Sequence, residues 1–288
     1  MAQAKIGIIG GSGLYDMEGL TGIDRVHVQT PFGSPSDAIT VGTLDGSPVA
    51  FLPRHGRGHY LTPTEIPAQA NIYALKSLGV EWIISVSAVG SLREHLAPQH
   101  LVIPDQLIDR TKSRINSFFG DGVVAHVAFA DPFCPVLSDI LHQSAVEAGG
   151  TVHKAGTYVV MEVPLFSTKA ESHMYRSWGA SIIGMTALPE AKLAREAEIH
   201  YATLASVTDY DCWHESEETV TIEMIIANLQ NNVEISKRIV RSAVARIVSM
   251  QPDCACSTAL QTAIITAPDK ISADARQRLA LLIGKYIR

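Results

Sequence analysis

The chain has 288 residues, of which 47% are hydrophobic and 18% charged, enough apolar side chain to bury a large core and to exclude a disordered chain. Its formal net charge is −6, from 23 Lys+Arg against 29 Asp+Glu. That balance excludes a general nucleic-acid binder, whose affinity rests on clustered cations, but not a local site for a small anion. No apolar run approaches the ~18–20 residues of a membrane span, and Ile6–Ile9 is too short for a secretory core segment. The four cysteines do not make a disulfide scaffold. The expectation is a soluble cytoplasmic protein with no nucleic-acid or membrane partner.

The first element is the apolar strand Ile6 to Ile9, stopped by Gly10-Gly11-Ser12-Gly13. A second strand is expected over Pro48–Pro53, running into Arg54-His55-Gly56-Arg57-Gly58-His59. Ile66, Ala70, Tyr73 and Leu78 predict a helix over 64–78, ended at Gly79. Trp82 to Val86 follows as a strand, closed by Ser87-Ala88-Val89-Gly90-Ser91. Strand, helix, strand in this order predicts a parallel βαβ unit. Residues 100–135 are irregular, with short strands. Beyond them the alternation resumes: a helix over 138–148 capped by Ser138, a strand at 158–161, a helix at 169–178, a strand at 181–185 and a helix over 189–197. The next strand, Tyr201 to Thr208, ends at Asp209-Tyr210-Asp211. A long helix over 220–250 carries the stripe Ile222, Ile225, Ile226, Leu229 and Val233. One α/β domain is expected over 1–250, with 251–288 a C-terminal extension packed on it.

Several strand ends carry chemistry. The glycine turn at 10–13 can present backbone N–H groups to an anion, but it has neither a Walker lysine nor G-x-G-x-x-G spacing. Arg54 and His55 suit a phosphate or carboxylate, while the glycines between His55 and His59 argue against a helix that would pair them on a metal. The small residues 87–91 allow close approach of a ligand to the backbone. In parallel α/β sheets the ligand crevice lies beyond the carboxyl ends of the strands. Asp209 and Asp211 are the sharpest feature. If the strand continues, residues two apart face one site, and their repulsion raises the proton affinity of one. A carboxylic acid kept protonated near neutral pH can donate to a heterocycle nitrogen. Phe166-Ser167 and Met185-Thr186 offer a ring, an apolar wall and hydroxyls. Cys254-Ala255-Cys256 supplies only half a tetrahedral metal site, so its thiols are taken as incidental and no metal is expected.

The segments from Lys5 to Leu14, Arg54-His55-Gly56-Arg57, Gly90-Ser91-Leu92-Arg93-Glu94, Met185 to Glu190 and Thr208 to Trp213 together resemble the methylthioadenosine phosphorylases, within the trimeric purine nucleoside phosphorylases. The resemblance runs from about residue 5 to 245. It implies a single α/β domain with a mixed, distorted barrel-like central sheet flanked by helices, assembled as a homotrimer. It implies phosphate held by Ser12, Arg54, His55, Ser87, Ala88 and Thr186. Met185 and Phe166 would meet ribose and purine, with Ser167 near the base. Asp209 and Asp211 would recognise adenine, Asp209 as the catalytic acid. His126 would come from a neighbouring subunit, and Ile222 would tune the pocket for the 5'-substituent. The implied reaction is phosphorolysis of methylthioadenosine to adenine and 5-methylthioribose 1-phosphate, with phosphate as co-substrate and no cofactor. The alternative is a phosphorylase of 6-oxopurine nucleosides or methylthioinosine. The chain departs from the family's frequent pattern at Val163, Leu165 and Gly184, the last standing where an Asn is common.

Overall fold

The computed structural model describes residues 4–11, 14, 17–162, 164–214 and 222–287, without the side chains of 222–227 and 229–231. One mixed sheet organises the chain. In sequence order its strands are β1 Ile6–Gly10, β2 Leu20–Val26, β3 Ile39–Leu44, β4 Ser47–Pro53, β5 Trp82–Ser91, β6 Leu101–Ile103, β7 Gln106–Arg110, β8 Val152–Lys154, β9 Thr157–Met161, β10 Ile182–Gly184 and β11 His200–Asp209. The spatial order is β2-β3-β4-β1-β5-β10-β9-β7, with β11 also paired to β5 and leading through β6 to β8. The sheet therefore branches at β5. Along most of its length β5 lies parallel to β11, and at Gly90 and Ser91 it pairs antiparallel with β10.

Both faces of the central strands are covered, which is why they read as continuous apolar runs. In β1, Ile9 belongs to one core cluster while Ile6 and Ile8 belong to the other. Helices α1 Ala68–Ser77 and α4 Ala187–Glu196 fill the first side with Ile72, Leu75, Ala191 and Leu193. Helices α2 Pro135–Glu147 and α5 Ile222–Val248 fill the second with Leu137, Leu141, Ile239 and Val244. A further helix, α3 Lys169–Ser177, opens with a capping box between Thr168 and Glu171. The short helices α6 Ala273–Arg278 and α7 Ala280–Ile283 send Ala275, Leu282 and Ile283 into the first cluster.

Several sequence expectations shift. Helix α1 starts four residues later than expected because Pro67 occupies its N-cap, and a proline disfavours helical backbone just before it. It does end where expected, Gly79 taking φ +91. Helix α2 starts at Pro135 with the Cys134 side chain as its cap, so Ser138 is inside the helix rather than capping it. Strand β5 does not stop at Val86. Residues 87–90 continue the ladder with β11, and their small side chains serve the ligand face rather than a turn.

Four parallel strands position the site. Strands β4, β1, β5 and β11 run in the same direction, so Arg54, Gly11, the end of β5 and Asp209 emerge along one edge.

Candidate active site

A cavity of about 570 Å³ opens along that carboxyl edge. Among the expected site residues it is lined by Arg54, His55, Ser87, Ala88, Phe166, Ser167, Met185, Thr186, Asp209 and Asp211. Ser12 lies outside the described residues, although Gly11 beside it lines the cavity. Ile222 begins α5, and its side chain likewise lies outside the description. His126 is exposed and does not reach the cavity of its own chain.

At one end, Arg54 is buried at 2% exposure. Its Nε donates to Glu190 Oε1 at 2.5 Å, Nη2 to Ser85 Oγ at 2.7 Å and to Glu190 Oε2 at 3.2 Å, and Nη1 to the Val86 carbonyl at 2.8 Å. Nη1 carries a second N–H besides the one given to Val86, and Arg54 lines the cavity. Tyr201 and Ser85 also donate to Glu190, at 3.0 and 3.1 Å. The ion pair therefore sits inside a satisfied network.

His55 pairs its Nδ1 with the Leu61 carbonyl at 2.9 Å, which fixes the proton on Nδ1. Burial, followed by the charge on Arg54, lowers its pKa to about 4, so the ring is neutral near pH 7 and Nε2 can accept from a phosphate O–H. As expected, no helix forms across the glycines between His55 and His59, yet the rings still meet. Turns at Gly56 and Gly58, with φ +71 and +91, stack the two rings at 4.2 Å. Ser87 and Thr186 share a hydrogen bond of 2.9 Å across the cavity wall, bringing two hydroxyls beside the arginine end.

At the other end the two aspartates meet, though not by strand alternation. Asp209 is the last residue of β11, whereas Asp211 takes φ 54 and turns the chain. The turn is held by Asp209 Oδ1, which accepts from the Asp211 amide at 2.8 Å, while Oδ2 accepts from Thr208 Oγ1 at 2.7 Å. Burial is the main cause that raises Asp209 above the ordinary carboxylate range. Asp211 is pushed up to about 6, again mainly by burial, with the nearby Asp209 charge adding to it and the Ser172 hydroxyl opposing. Repulsion between carboxylates, expected from the sequence as the main effect, is secondary to burial.

The walls between these ends are tied together by Arg114, which spacing did not reveal. It donates to the carbonyls of Met185 at 2.5 Å and Leu188 at 2.7 Å and pairs with Glu162 at 3.1 Å. Sequence reasoning also missed Glu190 as the partner of Arg54. From α5, Asn232, Val233 and Ser236 complete the wall. Asn228 and Asn232 donate to the carbonyls of Thr208 and Val207, at 2.7 and 3.3 Å, and so fasten α5 to the end of β11. Phe166 and Leu165 are exposed at 59% and 78%, so the loop they sit on covers the cavity only from the rim. At Gly184 a Cβ would collide with the Tyr158 hydroxyl, which accounts for glycine at this position.

A buried arginine end and an end with two carboxyls of raised proton affinity share one cavity at the edge of a branched mixed sheet, an arrangement suited to splitting a glycosidic bond with an anionic nucleophile. Comparison with known proteins agrees with that class. The family model described as the phosphorylase superfamily matches residues 5–245. The S-methyl-5'-thioadenosine phosphorylase of Geobacter sulfurreducens is 58% identical over 286 residues, covering 99% of this chain and 100% of that protein. That of Chloroflexus aurantiacus is 60% identical, covering 99% of both chains. The crystal structure of a methylthioadenosine phosphorylase from an antarctic soil metagenomic library superposes with a TM-score of 0.95 at 55% identity, covering 98% of this chain and 99% of the other. The Schistosoma mansoni methylthioadenosine phosphorylase in complex with adenine gives 0.83 at 34% identity, over 98% of each chain. The chain belongs to the phosphorylase superfamily and, within it, to the S-methyl-5'-thioadenosine phosphorylase family.

Proposed function

We propose that this chain phosphorolyses S-methyl-5'-thioadenosine, releasing adenine and 5-methylthio-α-D-ribose 1-phosphate for purine and methionine salvage. The observation that carries the reading is the pairing, within one cavity, of a buried arginine end with two carboxyl groups whose proton affinity is raised. Phosphate sits against Arg54, His55, Ser87, Thr186, the Ala88 amide and Ser12. As adenine departs, positive charge develops on the ribosyl ring. The bound anion stabilises that charge and then captures C1'. Adenine leaves poorly as an anion, so protonation at N7 lowers the barrier, a contribution of typically ~10²–10⁴-fold. Asp209 supplies this proton. Asp211 accepts from the exocyclic amine and shares the proton network. Met185 and Phe166 flank ribose and base, Ser167 lies by the base, and Ile222 shapes the methylthio pocket. Inorganic phosphate is the co-substrate, and the chemistry calls for no cofactor.

The active form on this reading is a cytoplasmic homotrimer in which the partner subunit's His126 closes the 5' end of the site. The exposure of His126 and its place outside the lining of its own chain's cavity support that role. The carboxyl pair favours a 6-aminopurine over a 6-oxopurine, whose O6 would face an acceptor. The test is adenine release from methylthioadenosine with and without phosphate. Release that requires phosphate is expected. Release without it would identify a nucleosidase, and no release would identify a binding protein.

A further inference from the structure

Far from the cavity, three cysteines and a histidine converge. Cys134 caps α2, His200 opens β11, and Cys254 and Cys256 come from the segment that follows α5. Their ligand atoms all lie within 4.8 Å of one another. The C-x-C pair is half a tetrahedral set, and the fold supplies the other half. We propose that Cys134, His200, Cys254 and Cys256 bind a structural Zn²⁺ ion that staples the C-terminal segment to the α/β body.

The distances carry the argument. Zn–S bonds of about 2.3 Å and a Zn–N bond of about 2.0–2.1 Å place tetrahedral S···S edges near 3.8 Å and S···N edges near 3.5 Å. Cys134 Sγ and Cys254 Sγ are 3.7 Å apart. His200 Nδ1 lies 3.4 Å from Cys134 Sγ and 3.2 Å from Cys254 Sγ. The two sulfurs are far outside the ~2.05 Å of a disulfide. These three edges fit a tetrahedron around one zinc, and Cys256 Sγ lies within 4.8 Å of all three atoms. Three soft sulfurs and one imidazole are a zinc donor set, and four protein ligands would leave no open position, as in a structural rather than a catalytic site. The imidazole is held in place, stacked on Trp82 at 4.1 Å. Cys134, Cys256 and His200 are buried at 1%, 4% and 3% exposure. His200 and Asp209 occupy opposite ends of β11, a separation of roughly 30 Å at strand rise, so the metal takes no part in bond cleavage.

The staple has a mechanical consequence. Beyond Cys256 the chain pairs with the His126 segment: the His126 amide donates to the Ala263 carbonyl at 2.9 Å, and the Ile265 amide to the Val124 carbonyl at 2.9 Å. Fixing Cys254 and Cys256 therefore anchors the segment against which His126 rests.

The experiment is metal analysis of the full-length protein, purified under reducing conditions and dialysed, followed by chelator treatment and reconstitution with Zn²⁺ or Co²⁺. About one zinc per chain is expected, and Co²⁺ should give the visible bands of a tetrahedral thiolate site. Chelation should lower Tm by about 5–10 °C, restored by Zn²⁺. Cys256→Ser and Cys254→Ser should lose zinc, while Cys212→Ser, whose sulfur lies in the other cavity, should keep full stoichiometry. Wild-type protein with less than about a tenth of an equivalent of zinc and no Co²⁺ bands would overturn the proposal. So would a disulfide among Cys134, Cys254 and Cys256, found by differential alkylation. Because both readouts are taken on wild-type protein, a variant that fails to fold does not blur the result.

Discussion

At the scale of single residues, the pair Arg54–Glu190 decides whether the anion end exists. Both side chains are nearly fully buried, and they make two contacts, at 2.5 and 3.2 Å. Removing one partner of such a pair leaves an uncompensated buried charge, which costs about 3–5 kcal/mol. Glu190→Ala is therefore expected to lose about that much in denaturant unfolding and to weaken phosphate binding as Arg54 shifts. Asp211 gives a second expectation, in pH. Its pKa is raised from 3.8 to about 6, so the folded state holds a proton that the unfolded chain releases. That contribution is present in full below pH 3.8 and is lost as pH rises through 6. Asp209 is raised as well and acts in the same sense. Carboxylates held low, such as Glu162 at about 2 and Asp109, act in the opposite sense, so the expectation is for the difference. In unfolding measurements, the stability of the wild type relative to Asp211→Asn should fall as pH rises from 3.8 through 6.

At the scale of elements, the site depends on how the end of β5 meets the end of β11. A Cβ at Gly90 would lie 3.0 Å from Asp209 Oδ1 and 3.2 Å from Ile183. Gly90→Ala should push the Asp209 carboxyl aside by a few tenths of an ångström and lower kcat/KM by roughly two- to tenfold, less than the hundredfold that an ångström of misplacement can cost. Phosphate binding should change little. Much of this layout is legible in the sequence. Strands β1, β4, β5 and β11 are apolar runs ending in glycine, Arg-His, small residues and Asp-Tyr-Asp, so the crevice follows from the rule for parallel strand ends. Strand β2 was not legible: Leu20–Val26 is mostly exposed, polar and interrupted by Gly22. The true length of β5 was hidden because Ser, Ala and Gly signal both a turn and a ligand-facing strand. Glu190 and Arg114 were hidden for another reason. Each acts on segments far away in sequence, Glu190 on Arg54 and Arg114 on Met185, and no local pattern marks such a partner.

At the scale of the molecule, the expected trimer concerns which chain completes which site. His126 is exposed, and the segment that carries it is held by the C-terminal segment through the isolated Ala125–Ile264 bridge. If it serves a neighbouring cavity, two defective chains can complement each other. Asp209→Asn and His126→Ala, each impaired alone, should regain activity when mixed and allowed to exchange subunits. Some cavities would then combine an intact Asp209 with the partner subunit's His126. No recovery, with exchange demonstrated, would mean that His126 acts within its own chain or not at all. Residues 254–287 carry no motif of the resemblance, yet Leu260, Leu279 and Ile283 from this segment sit in the main core cluster. We read the segment as part of the same folding unit, so truncation after residue 250 should yield insoluble or unfolded protein.

The proton-donating end is tested most directly by base preference. The measurement is kcat/KM for methylthioadenosine and for methylthioinosine, at saturating phosphate, in the wild-type chain and in Asp209→Asn. The wild type is expected to prefer the 6-amino substrate, and the substitution to lower the ratio by about a hundredfold or more. An unchanged ratio, with adenine still released at the wild-type rate, would contradict it.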